Sequence, residues 1–140
     1  MRFTYLRLAS ASGAHTPRPY LKTMVTGPLG QTPIVMLVDS GADETMMPGQ
    51  VAAAIGIEPT GEIVRLTGFG LEVIEAQAGE ARFTFGKGAS YAITSRVLFH
   101  DAITLPAFGH RDFFNRCRVT FDAGAGIFQV VEPARHLLPN

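Results

Sequence analysis

Alternation of apolar and polar residues with a period of two runs through most of this chain and limits its fold more than any other feature. Successive side chains of a β-strand point to opposite faces, so this pattern describes strands with one buried side. Across residues 80–85, Ala81, Phe83 and Phe85 fall on one face and Glu80, Arg82 and Thr84 on the other. After a Gly86-Lys87-Gly88 turn, Tyr91, Ile93, Val97 and Phe99 resume the pattern. Cys117, Val119 and Phe121 repeat it opposite Arg116, Arg118 and Thr120. Residues 34–38 are apolar on both faces, as in a central strand covered on two sides. Residues 20–26 and 127–131 complete the expected sheet.

Helical signals are few. Pro48 suits a helix start, because its missing N–H would have no partner there. Residues 50–55 continue the helix, and Gly56 is placed to end it in the left-handed conformation. A second short helix is expected over residues 112–116. The expected class is mostly β with one or two short helices.

No repeat or charge block divides the 140 residues, so one domain is expected over 1–140. Its core lies at about 20–131, with an exposed connection at 10–19 and a tail at 133–140. With 46% hydrophobic and 17% charged residues, the chain can bury a core. Twelve basic and twelve acidic residues cancel, so the basic excess of a nucleic-acid binder is missing and no nucleic-acid partner is expected. The first fourteen residues, mixed with Arg2 and Arg7, do not read as a signal peptide. The longest apolar run, residues 33–38, is far too short to cross a bilayer. No integral membrane segment and a cytoplasmic location are therefore expected. Cys117 is the single cysteine, which removes an internal disulfide, and its alternation with Val119 and Phe121 makes it a buried structural thiol.

The chemistry is concentrated in Leu37-Val38-Asp39-Ser40-Gly41-Ala42-Asp43-Glu44-Thr45, where an apolar strand runs directly into an acid, a hydroxyl and a glycine. Delivering a carboxylate into a covered interior costs several kcal/mol, on the order of the desolvation of one ion, unless something compensates. Asp39 therefore needs a structural partner or a chemical task. One solution is an Asx turn, with Asp39 bonding the N–H two residues on. The other is hydrolysis. Two carboxyl groups about 3 Å apart cannot both ionise, so one serves as acid while the other removes a proton from water.

In its extended context this segment resembles the catalytic segment of retropepsins, the single-domain aspartic proteases of retroviruses and their cellular and bacterial relatives. Leu105-Pro106-Ala107-Phe108-Gly109 is similar to the family's apolar-apolar-Gly element that crosses behind the catalytic loop. Arg111-Asp112-Phe113-Phe114 and Arg118-Val119-Thr120-Phe121-Asp122 resemble its closing helix and strand, and Arg65-Leu66-Thr67-Gly68-Phe69-Gly70 its flap tip. The likeness spans residues 20–131. It implies a closed-barrel-like acid-protease fold and an aspartic endopeptidase without metal or organic cofactor. It also implies a polypeptide substrate held extended by backbone hydrogen bonds. By position, Asp39 is the expected catalytic group, Ser40 braces the loop, and Gly41 contacts substrate backbone beside Ala42 and Asp43. Gly68, Phe69 and Gly70 form the expected flap. Gly109 and Arg111 give structural support, with an expected Asp43–Arg111 ion pair.

A dyad needs two aspartates, and the chain holds one D-S-G. Asp122-Ala123-Gly124 echoes it but lacks the hydroxyl and has the composition of a hairpin turn. The implied solution is a homodimer with Asp39 at its twofold axis. The alternative is a catalytically weak or inactive peptide-binding or dimerisation module on the same fold.

Other constellations carry less. Ser40 lacks the glycine two residues upstream that a nucleophile elbow requires. His15, His100, His110 and His136 have no metal-ligand spacing, so no metal is expected. Gly109-His110-Arg111-Asp112 reads as a loop entering a helix. Met46 and Met47 read as packing residues with a possible second use along a substrate pocket.

Overall fold

The computed structural model describes residues 1–8, 16–67 and 72–132. In chain order these form β1 (Arg2–Thr4), β2 (Leu6–Arg7), β3 (Pro17–Arg18), β4 (Tyr20–Gly27) and β5 (Gly30–Val38). Next come β6 (Met46–Pro48), α1 (Gly49–Ala54), β7 (Ile63–Leu66), β8 (Ile74–Phe85) and β9 (Tyr91–His100). The last are β10 (Ala107–Phe108), β11 (Arg118–Asp122) and β12 (Ile127–Val131).

Six strands close on themselves in the order β4-β5-β10-β6-β9-β8 and back to β4. The expected mostly β, closed-barrel class is thus observed. The strand β10 is only two residues long, yet it completes the ring. It runs parallel to β5, with Ala107 opposite Leu37 and Phe108 opposite Val38, and antiparallel to β6 through Ala107 and Met46. One edge of β8 serves two partners. Residues 82–85 pair with β4 and residues 74–77 pair with β7, which therefore projects beyond the barrel.

The strand β8 also changes its buried face. Ile74, Ala76 and Ala78 are buried in its first half, and Ala81, Phe83 and Phe85 in its second. Its pairing with β9 continues without a bulge from Gln77 opposite Phe99 to Phe85 opposite Tyr91. The switch is therefore one of covering and not of register. Ala76, Ala78 and Leu98 form a small apolar layer beneath β7, with Val64 and Leu66 against it. The larger layer fills the barrel. At the crossover lies Gly79, where a β-carbon would stand 2.5 Å from Ile57 Cγ2 and 3.1 Å from the Glu58 carbonyl oxygen.

Four phenylalanines centre the main core. Phe108 and Phe113 stack at 4.3 Å between ring centres, and Phe83 meets Phe108 edge-on at 5.0 Å. Phe83, Phe108, Phe113 and Phe128 are all fully buried. Each such side chain contributes roughly 1.5–3 kcal/mol by leaving water.

The first expected helix is observed. Pro48 holds the extended cap position before α1, Ala52 faces the core, and Gly56 ends the helix at φ +74°. The second is not regular. Residues 110–114 form a wide turn in which Arg111 is extended and Asp112 takes φ +67°. Phe113 buried against Phe108, and the Asp112 carboxylate accepting the Arg96 N–H at 2.9 Å, hold that shape against helix formation. Phe121, expected on a buried face, is 39% exposed. It lies on β11, the outer strand of a separate β1-β12-β11 sheet, and meets Phe128 only at 6.4 Å. The Asp122 segment is the expected hairpin turn, its carboxylate accepting the Ala125 N–H at 3.1 Å.

Candidate active site

Asp39 is the first residue beyond β5, and its position is set by the closing of the barrel. Its N–H donates to the Phe108 carbonyl at 3.1 Å, continuing the ladder begun by Leu37 N–H to Pro106 at 2.8 Å. The preceding Val38 N–H donates the other way, to Pro19, at 2.9 Å. Apolar side chains at Met36 and Val38 bury the strand's end and so fix where the carboxylate emerges. The carboxylate itself is half-buried at the floor of a cleft and not enclosed as the sequence suggested.

The loop that follows is tightly tied. Gly41 N–H donates to Asp39 Oδ1 at 2.9 Å, the Asx turn that the residues alone allowed. Ala42 N–H donates to the Asp39 carbonyl at 3.1 Å. An open carboxylate oxygen and a local turn are thus compatible in one side chain. A β-carbon at Gly41 would lie 3.2 Å from that same Oδ1, so glycine keeps the carboxylate uncrowded.

Residues 109–111 hold the loop from behind. His110 N–H donates to the Ala42 carbonyl at 2.9 Å and Arg111 N–H to the Asp43 carbonyl at 3.0 Å. Gly109 is buried so closely that a β-carbon would stand 2.5 Å from the Glu44 carbonyl oxygen and 2.8 Å from that of Ala42. Its N–H donates to Thr45 Oγ1 at 3.3 Å, and the fully buried Thr45 accepts the Leu98 N–H at 2.9 Å through its carbonyl. One threonine thus ties the loop to both β10 and β9.

The expected Asp43–Arg111 ion pair is replaced. Arg111 meets Glu44 at 3.6 Å, while the Asp43 main-chain carbonyl accepts the Arg111 backbone N–H. Glu44 also faces Arg96 at 3.9 Å, and Arg96 reaches Glu62 at 3.0 Å. Asp43 is exposed at the cleft, whereas the Glu44 carboxylate lies beside the two guanidinium groups, so the adjacent acid takes the cation.

The cleft has a volume of about 670 Å³. Asp39, Gly41, Ala42, Asp43 and Glu44 line one side, and Val64, Arg65, Leu66 and Thr67 of β7 and its continuation the other. Met46, Leu105 and Ala107 complete the wall. The two methionines therefore divide: Met46 lines the cleft and Met47 is fully buried. The expected flap residues Gly68, Phe69 and Gly70 lie outside the described residues, as does most of the 10–19 connection and the 133–140 tail. Thr45, Glu44 and the His110 side chain went unassigned from sequence. Their adjacency to the two motifs was the available signal, but their partners come from distant strands.

Cys117 is buried, and burial, with Glu132 nearby, pushes its thiol up to about 11 against the opposing effect of Arg116. It is a packing residue. Among the described residues, no group of three or more His, Cys, Asp or Glu side chains is placed to hold a metal ion. Among them, too, no helix is long and apolar enough to cross a membrane.

Residues 24–101 match a family described as aspartyl protease, a span that holds Asp39 and β7 across the cleft from it. Among solved structures, the chain is similar to an EIAV protease complexed with the inhibitor HBY-793. The two are 23% identical, with 66% of this chain and 82% of that one covered, and a TM-score of 0.46. No curated protein matches. The family match covers more than half of the chain and includes the loop just described, and on that ground the chain belongs to the aspartyl protease family.

Proposed function

We propose that the chain is an aspartic endopeptidase whose dyad consists of Asp39 from each of two identical copies. The observation that carries this is the presentation of Asp39: one carboxylate at the end of a barrel strand, open to a cleft and held by a loop tied from behind. Such rigid placement suits acid–base work, which requires a group within hydrogen-bond reach of the attacking water. One carboxyl group of the pair carries the proton for the substrate carbonyl, and the other removes a proton from water. Substrate lies extended between the loop and β7, where backbone bonding gives affinity and Met46, Val64, Leu66 and Leu105 offer apolar contact. Ser40 braces the paired loops. Neither Asp43 nor Glu44 supplies the second carboxyl group. Asp43 belongs to the same short loop, and Glu44 faces two arginines.

The test uses hydrolysis of an unfolded polypeptide. Asp39→Asn should fold as wild type and lose turnover, and chelators should leave wild-type turnover intact. Mixing then separates a shared site from a private one. If each site needs two Asp39 groups, an equal mixture of wild type and Asp39→Asn with free exchange shows about a quarter of the activity of pure wild type at the same total chain concentration, as random pairing gives. Retention of one half would exclude the shared dyad. Peptide binding without cleavage by wild type would favour the binding module instead.

A further inference from the structure

The peptide group joining Ser40 to Gly41 is held at both ends. Its N–H donates to Asp39 Oδ1 at 2.9 Å, and its carbonyl oxygen lies 2.6 Å from Nε2 of His110. A carbonyl only accepts, so Nε2 carries the hydrogen and donates it. Because a peptide group is planar, with its C=O and N–H directed oppositely, fixing one end fixes the other. From these two bonds we propose that His110 is a positioning residue for the catalytic loop, acting on Asp39 through the Ser40–Gly41 peptide. The proposal rests on the catalytic role of Asp39 given above.

The alternative orientation of this peptide explains why a side chain is needed. Rotated by half a turn, the group would aim its carbonyl oxygen at the Asp39 carboxylate and withdraw the N–H from it. Two electronegative oxygens would then meet where one hydrogen bond now stands. The neighbouring ties, Asp39 N–H to Phe108, His110 N–H to Ala42 and Arg111 N–H to Asp43, run between main chains and do not depend on side-chain identity. The tie at Ser40 is different. It requires a donor of the reach that the imidazole supplies.

His110 is itself well placed for this task. Its main chain is fixed by the bond to Ala42, its ring lies 5.1 Å from that of Phe114, and the adjoining Phe113 is anchored in the core against Phe108. Hydrogen bonds in series also polarise one another, so donation into the Ser40 carbonyl strengthens the Gly41 N–H as a donor to Asp39.

Two substitutions separate donor from ring. His110→Phe keeps a ring beside Phe114 and removes the donor, while His110→Gln restores an N–H at similar reach. The first readout is the Gly41 amide proton shift in 15N-glycine-labelled protein, which requires no turnover. The second is kcat and KM on a peptide substrate. In His110→Phe the Gly41 resonance should move upfield and kcat should fall between about tenfold and a hundredfold, with KM nearly unchanged. His110→Gln should recover both. An unmoved Gly41 resonance in His110→Phe, or a Gln variant as impaired as Phe, overturns the proposal. If Phe lowers the melting temperature, His110→Leu takes its place with the same criteria. Wild type without turnover, together with the expected resonance shifts, would remove the protease reading and leave the positioning role standing.

Discussion

At Gly109 the backbone of β10's continuation passes so near the Asp39 loop that no side chain fits. The obstacle is two carbonyl oxygens of the main chain, at 2.5 and 2.8 Å from a hypothetical β-carbon, so no rotamer change relieves it. Gly109→Ala should therefore force the loop outward and destabilise the protein by about 1–3 kcal/mol, as overpacking does. Thermal melting would measure this, and an unchanged midpoint would contradict the packing described. Cys117 gives a second prediction at this scale. Its folded value, about 11, stands above its ordinary 9.0, so the folded state retains the proton longer than the unfolded one. The resulting contribution is complete below pH 9 and is lost as pH rises from 9 toward 11. Cys117→Ala should show a shallower alkaline decline in denaturant titrations between those values. In native protein at pH 8, Cys117 should be alkylated far more slowly than in protein unfolded in urea.

Among the elements, β8 does the most varied work. One strand closes the barrel through β4, carries β7 at the cleft, and buries opposite faces in its two halves. The change of face depends on Gly79, which lets Ile57 pack across the strand. Gly79→Ala should destabilise by about 1–3 kcal/mol. In an Ile57→Ala background the same change should cost less, since the obstructing Cγ2 is gone. Equal costs in the two backgrounds would show that the contact is not the cause. The alternation read from residues 80–85 was accurate because one continuous core lies under that half. Phe121 was misplaced because alternation says which residues share a face and not whether anything covers it. The expected helix at 112–116 failed for a related reason. Burial of Phe113 and the bond from Arg96 to Asp112 outweigh local preference there.

For the whole molecule, closing the barrel does not supply the second carboxyl group that the proposed dyad requires. A single chain closes its own barrel, but it brings only one Asp39 to the cleft. If the proposed pairing is correct, hydrolysis per chain should fall on dilution through the dimer dissociation range. A progressive dilution assay alongside sedimentation would test it. Activity per chain that stays constant well into a demonstrated monomer range would argue against a shared dyad.

The amino-acid order determined the strand pattern, the short helix ended by Gly56, the buried thiol and the loop bearing Asp39, since each depends on neighbours within a few positions. Only the tertiary structure decided that Glu44 and not Asp43 faces Arg111, that Thr45 bridges β9 and β10, and that His110 grips Ser40. Those contacts join segments about 50 to 70 positions apart in a closed barrel, where direction and distance follow from strand register and turn shape, quantities that local periodicity does not encode.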